Sequence, residues 1–537
     1  MEALNEIDWL SFPANEISLN HDLAIRRFCP ARVEEEQGEW EEIFNDIDLC
    51  SLSDTTSPPC LASSELDEFV DSFINIEQNY DGDHHNESPV QDGMEMFSMA
   101  DDGVCDENLP MMLEGDEMEI AGSSVGPFGV HNNVADMVPS VEEVSHGVDQ
   151  GLHLVHMLLA CAEAVGCRDT QLADSILSQI WASVSPCGDS LQRVSYCFAT
   201  GLKSRLSLLQ NVNTNGTLFV NNGASMDVSL ITRGEKMEAF QLLYQTTPFI
   251  AFGFMVANEA ISQASMGKDY LHIIDLGMEH TLQWPSLIRT LASRPDGPPK
   301  LLRITGLTDD HTLSSELEAS MKILVEEASS LSIPLQFNLI SEPVTPSLLT
   351  KEKLDLREGE TLFVNGFMNL HKYVKESRGS LKAILQALKK LVPTLLTVVE
   401  QDANHNGPFF LGRFLESLHY YSAIFDSLEA SLPRSSPQRM KIERHHLAEE
   451  IRNIVAFEGS SRIERHERAD QWRRQLGRAG FQVMGLKLLS QARMMLSVYG
   501  CDGYSLASEK GCLLLGWKGR PILLASAWQV HNPPSSS

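Results

Sequence analysis

The feature that most constrains this chain is a series of short, apolar, β-branched runs with helical patterns between them. The first is Leu271-His272-Ile273-Ile274-Asp275-Leu276, ended by Gly277. Its length and branching fit a strand buried on both faces, as in a parallel sheet. Pro285 suits the first turn of a helix, where a missing amide costs nothing. Leu287, Ile288 and Leu291 then share one helical face. The turn-rich stretch Arg294-Pro295-Asp296-Gly297-Pro298-Pro299 stops that helix, and Leu301 to Leu307 supplies a second strand. This strand–helix–strand unit is the repeating piece of an open α/β sheet. Further runs at 335–340, 361–366 and 394–399 extend it, so a doubly wound parallel sheet is expected. Phe481 to Leu489 reads as another strand. Gly511–Trp517 and Ile522–Ala527 read as an antiparallel hairpin around Lys518-Gly519-Arg520-Pro521.

The segment ahead of the first strand has another character. Leu154, Val155, Leu158, Leu159, Ala162 and Val165 recur at helical period, as do Leu172, Ile176, Ile180 and Val184. Leu191, Val194, Phe198, Leu202 and Leu206 do the same, and Phe240, Leu243, Tyr244, Phe249, Phe252, Met255 and Ile261 continue the pattern. Successive amphipathic helices of this kind predict a helical cap over residues 149–262, with the α/β core at 263–537.

Charge separates both from residues 1–148. The chain of 537 residues carries a net charge of −33. Residues 1–150 hold 36 acids, 3 arginines and no lysine, so they account for all of it; the remainder has 38 acids and 38 bases. Unpaired acids among Ser, Asn, Gly and Pro argue for disorder over 1–148. Three islands interrupt it: Ile7 to Phe12; Trp40, Ile43, Phe44 and Ile47; and Leu66, Phe69, Val70, Phe73 and Ile74. Each has the acid-and-apolar composition of a segment that folds on a partner's groove. A neutral domain with an acidic tail is poorly suited to gripping phosphate backbones, so DNA contact through a partner is expected. The ten cysteines show no Cys-x-x-Cys spacing, which fits core thiols rather than a zinc finger. The longest apolar stretch, Pro248 to Ala257, is half a membrane span, and a soluble intracellular chain with no membrane partner is expected.

A parallel sheet closed by an antiparallel hairpin is the arrangement of Rossmann-like methyltransferases, so the loop after the first strand is the place to look for a nucleotide. Such a loop needs several glycines for the backbone to approach its ligand. Here Asp275 and Gly277 are followed by Met278, Glu279, His280 and Thr281, and no cofactor is expected. Asp275 then either tethers the loop amides or faces a partner. Glu400 and Asp402, with His405, could form an acid–base pair or cap a loop. The heptad-like stripe Leu313, Leu317, Met321, Leu324, Ala328 and Leu331 fits packing on the sheet or a zipper to another protein.

The strand Leu271 to Asp275 resembles the signature strand of the GRAS family of plant transcriptional regulators. The resemblance covers about residues 149–530. Leucine-rich helices at about 152–240 and 311–345 are similar to the leucine-rich regions of that family. Leu356 to Asn365 resembles the approach to its central region, and Phe409 to Phe414, including Arg413, its aromatic–Arg block. Arg462-Ile463-Glu464-Arg465, Trp472, Leu476 to Phe481, Gly516-Trp517 and Ser526-Ala527-Trp528 resemble its terminal block. The resemblance implies a Rossmann-like core with a helical cap, serving as a binding platform and not an enzyme. It implies a nuclear co-regulator whose partners are other GRAS proteins and DNA-binding transcription factors, with a homodimer among the options. The wording of the signature strand points toward the branch acting in mycorrhizal symbiosis. The acidic gibberellin-sensing motif of another branch is not found, so hormone-triggered degradation of that kind is not expected. The rival readings are a methyltransferase that uses S-adenosylmethionine and a direct DNA-binding factor. Arg462, Glu464 and Arg465 are read either as ion pairs bracing the final strands or as a partner face, and Trp517 and Trp528 as packing residues.

Overall fold

The computed structural model describes residues 141–210, 231–377 and 379–531, with side chains from residue 151 onward. The three acidic islands and the expected disorder ahead of residue 141 lie outside the described residues. Helix α1 (Val141–Gly166) opens ahead of the composition change near 149. It is followed by α2 (Thr170–Ser183), α3 (Ser190–Gln210), α4 (Arg233–Thr246) and α5 (Pro248–Ala264). The apolar stripes of α1 and α3 turn inward as their spacing requires. Leu154, Val155, Leu158, Val194, Phe198 and Leu202 are all buried in one cluster. On α2 the buried face is Ala173, Leu177 and Ile180. Leu172, expected inside, is 50% exposed, because the buried face runs through Ala173 and Leu177, one residue on from the expected stripe. The apolar stretch from Pro248 is a helix with both sides covered, twelve of its residues being buried.

The α/β part supplies β1 (Tyr270–Asp275), α6 (Trp284–Ala292), β2 (Leu301–Leu307), α7 (Ser314–Ser330), β3 (Leu335–Ile340), β4 (Thr361–Phe367), α8 (Gly379–Lys390) and β5 (Leu395–Gln401). After these come α9 (Phe410–Ser431), α10 (Pro437–Ile442), α11 (Ala448–Ala456) and α12 (Ala469–Ala479), with a π-helical turn, Glu443–Leu447, between α10 and α11. The chain ends with β6 (Phe481–Met484), α13 (Leu489–Leu496), β7 (Tyr504–Glu509), β8 (Cys512–Trp517) and β9 (Arg520–Val530). The sheet order is β3-β2-β1-β4-β5-β9-β8-β7, and β6 pairs with the far end of β9. The first five strands run parallel and the last ones antiparallel. The expected α/β class, a doubly wound sheet finished by an antiparallel hairpin, is therefore the fold.

Two features differ from the sequence reading. The strand expected over Phe481–Leu489 stops at Met484, and Leu489 begins a helix instead. Gly485 interrupts the alternation, and β9 has only four residues left to pair. β7 was not foreseen because it is a half-exposed edge strand, Tyr-Ser-Leu-Ala-Ser-Glu, with too little apolar contrast to stand out.

The sheet is covered on both faces. Leu271, Ile273, Leu302 and Ile304 meet α6 and α7 on one. Ile274, Val364, Leu396 and Val398 meet α8 and α12 on the other, through Leu381, Ile384, Leu388, Trp472 and Leu476. The cap helices join the first face through α5 and α9, against Val399, Leu515 and Ala525. No helix among the described residues is long and apolar enough to cross a membrane.

Candidate functional site

β1 pairs with β2 on one side and β4 on the other, with Asp275 opposite Gly306 and Asn365. The chain winds outward to β3 in one direction and to β5 in the other. The carboxyl end of β1 is thus the switch point where open α/β sheets hold their ligands. Here that crevice is filled from within. The Met278 side chain lies directly over Gly306, and the Asn369 amide lies against Gly277; a Cβ at either glycine would collide with it. His280 stacks on Phe240 of α4 with ring centroids 4.6 Å apart and meets the edge of Phe254 of α5 at 5.9 Å. Burial lowers its pKa to about 4, so the ring is neutral near pH 7. Arg233 closes the rim, donating to the Glu279 carbonyl at 3.4 Å and pairing with Asp310 at 3.3 Å.

Beneath the loop is a buried amide network. Gln283 Nε2 donates to Asn258 Oδ1 at 3.0 Å, Asn365 Nδ2 donates to Gln283 Oε1 at 3.0 Å, and Thr397 Oγ1 donates to Asn365 Oδ1 at 2.8 Å. These bonds tie α5, β4 and β5 to the entry of α6. Asp275 is buried and accepts from the Gly277 amide at 3.3 Å. Desolvation raises its carboxyl to about 7, which the Gly277 bond only partly offsets. Geometrically, Asp275 tethers the loop.

The ends of β4 and β5 carry a second, more polar cluster. Glu400, the next-to-last residue of β5, is fully buried. Its Oε1 accepts the Asn369, Leu370 and His371 amides at 3.1, 2.6 and 3.3 Å, which fixes the short 3-10 turn Leu370–Tyr373. Its Oε2 lies 2.7 Å from His371 Nδ1. His371 Nε2 in turn lies 3.1 Å from Glu464 Oε2, and His466 Nε2 lies 3.3 Å from the same oxygen. His466 Nδ1 then meets His405 Nδ1 at 2.9 Å. Burial opposes a charge on His371, but Glu400 and then Glu464 outweigh it and raise the pKa to about 10. Burial opposes the Glu464 carboxylate as well, yet the two facing histidines hold it well below the usual range. Of the two readings given to Asp402, an acid–base partner or a cap, the second fits: it accepts the Ala469 amide at 2.6 Å and caps α12.

The structure distributes the residues singled out in the sequence rather than gathering them. Leu271, Ile273 and Ile274 are core of β1. His272 is buried, 2.8 Å from Thr305 Oγ1 and 3.3 Å from Glu360; burial, with the Arg303 charge beside it, lowers its pKa to about 4. Leu313, Leu317 and Leu324 are buried under the sheet and Leu331 partly so. Of the two readings given to that stripe, packing on the sheet is the one its burial fits, and the large apolar residue α7 shows solvent is Ile323, 68% exposed. Arg413 is buried, donating to the Ile454 and Gly407 carbonyls at 3.1 and 3.0 Å and pairing with Glu458. Arg462 donates to the His405 carbonyl at 2.9 Å, and Arg465 to the Arg462 and Gly459 carbonyls at 3.0 and 2.9 Å. Of the two readings given to Arg462 and Arg465, bracing fits and a partner face does not: both are buried, and beside those carbonyls they pair with Glu458 at 3.6 Å and Glu376 at 3.3 Å. Trp472 is core, Trp517 Nε1 donates to Asp426 at 2.6 Å, and Trp528 Nε1 donates to Ser526 Oγ at 2.9 Å, with Ala527 buried between. His371 and His466 went unremarked in the sequence. The one hint was Glu400 at a strand end, where a buried acid requires a partner.

A family model described as the GRAS domain family matches residues 154–529. The GRAS family protein RAD1 of Lotus japonicus is 44% identical over 402 residues, 74% of this chain and 77% of that protein. The DELLA protein GAI1 of Vitis vinifera is 37% identical over 423 residues, 77% of this chain and 67% of that protein. Among solved structures, SCL7 of Oryza sativa aligns with a TM-score of 0.61 at 29% identity, over 70% of this chain and 99% of that one. On a match of this extent in sequence, the chain belongs to the GRAS domain family.

Proposed function

We propose that this chain is a nuclear transcriptional co-regulator that works through contacts with other proteins and not by catalysis. The observation that carries the reading is the filled crevice: Met278, Asn369, His280 and Phe240 occupy the place where a fold of this kind takes its substrate. The outer surface is then what remains available for function. Family membership supports a role in plant gene regulation. The higher identity to RAD1 than to the DELLA protein supports a RAD1-like branch and, with it, a part in symbiotic or developmental signalling.

In this reading residues 149–537 form the docking domain, for other GRAS proteins, a second copy or DNA-binding factors, and residues 1–148 recruit the transcription machinery. The formal neutrality of residues 151–537, 38 acids against 38 bases, supports indirect DNA contact. Tethering the full chain to a reporter promoter through a foreign DNA-binding domain tests the proposal. Reporter output should change, and removal of residues 1–148 should abolish the change. Calorimetry with S-adenosylmethionine tests the rival: micromolar binding to the full chain, with methyl transfer, would overturn the reading. A salt-titrated gel shift does the same for DNA, where tight and steeply salt-dependent binding would replace docking by direct contact.

A further inference from the structure

We infer that His371, Glu464 and His466 form a binding site for one divalent metal ion of the zinc class. Their ligand atoms lie within 4.8 Å of one another, and among the described residues this is the single group of three such donors. Two imidazoles and one carboxylate are a donor set that suits zinc and its neighbours in the first transition row.

Three observations converge. First, His371 Nε2 and His466 Nε2 lie 3.1 and 3.3 Å from one oxygen of Glu464, yet neither nitrogen completes a well-directed hydrogen bond. Both side chains are more than nine-tenths buried, where an unmade hydrogen bond is costly. Those spacings also match the edge of a tetrahedral zinc site, about 3.3 Å for bonds of about 2.0–2.1 Å. Second, the outer nitrogens are already committed. His371 Nδ1 faces the Glu400 carboxylate at 2.7 Å, and Glu400 is anchored by three backbone amides. His466 Nδ1 faces His405 at 2.9 Å. A carboxylate behind a ligand histidine fixes the ring and leaves Nε2 to the metal. Third, the charges close. Glu400 and Glu464 bring two negative charges into a buried region, and one divalent cation between neutral imidazoles cancels both. Glu464 keeps 14% of its side chain accessible, which gives an ion a way in.

The ion would fasten the segment after α11, which carries Glu464 and His466, to the turn after β4. It makes no use of the β1 crevice, so the inference is independent of the regulatory reading. The competing occupant is a proton on His371 bridging Glu400 and Glu464.

The test uses the full chain, stripped with a chelator and titrated with Zn²⁺. One tight equivalent per chain is expected, with a raised melting temperature, and Co²⁺ in its place should give visible d–d absorption. Glu464→Gln and His466→Gln should each lose that equivalent. Failure to bind Zn²⁺ tightly, or unchanged stoichiometry in folded variants, would overturn the site. Should the variants not fold, zinc-edge X-ray absorption on the unaltered chain decides. A shell of nitrogen and oxygen at about 2.0–2.1 Å supports the site, and sulfur at about 2.3 Å overturns it.

Discussion

The two clusters at the carboxyl edge of the sheet solve the same problem in opposite ways. At the end of β1 the crevice is closed by groups that carry no net charge: Met278, the Asn369 amide, neutral His280 on Phe240, and amides linking Gln283, Asn258 and Asn365. At the ends of β4 and β5 the space is filled by ionisable side chains, Glu400, His371 and Glu464, that depend on one another. Neutral closure tolerates the loss of one member, whereas charged closure leaves an uncompensated ion behind. One contact joins the two: Lys372, next to His371, reaches Glu279 of the β1 loop at 2.7 Å.

The largest effect should come from the charged side. Glu400→Ala leaves His371 Nδ1 and three buried amides without their shared partner, and should cost about 3–5 kcal/mol in denaturant unfolding, the range for breaking a buried pair. A loss below a third of that would mean the cluster is wetter than its burial implies. On the neutral side Gly277→Ala drives a methyl into Asn369 and should cost about 1–3 kcal/mol, as overpacking does. Asn369→Ala in the same chain should recover most of it, and a double-mutant cycle with no coupling would contradict the contact.

Acid provides the third comparison. The pKa of His280 falls from 6.5 to about 4 on folding. Its neutral form therefore contributes stability that is fully present above pH 6.5 and lost as pH falls toward 4. His280→Phe keeps the stack on Phe240 without the titration. Over that window it should flatten the pH dependence of unfolding by about 3 kcal/mol. An unchanged slope would place the ring in solvent. The smallest effect should be the link between the clusters. Glu279 is 56% exposed and Lys372 31%, so a cycle of Glu279→Gln with Lys372→Met should give a coupling below about 1 kcal/mol, shrinking with salt. A larger, salt-insensitive coupling would make the two clusters one unit.

Much of the sheet was legible because a strand buried on both faces must be written in apolar, β-branched residues. Leu271–Asp275 and Leu301–Leu307 could hardly be otherwise. The edge strand β7 was not, since an edge exposes half its side chains and its alternation fades. The crevice was legible in part. Met278 and His280 announce a filled loop, but Asn369 and Phe240 come from other segments. The charged cluster was scarcely legible. His371 stands 93 residues ahead of Glu464, so no local pattern ties it to the Glu464 and His466 pair.

The sequence alone determined the parallel sheet, the antiparallel finish, the helices before it, the charge asymmetry and the family, because each is written in local periodicity, composition or contiguous motif. Only the tertiary structure decided that Arg413, Arg462 and Arg465 are interior, that the α7 leucines face the sheet, and that three histidines and two glutamates converge. Those outcomes depend on which distant segments share a neighbourhood once water is excluded. Desolvation, which turns an ordinary charged residue into one that must find a partner, is a property of the folded surroundings and has no local spelling.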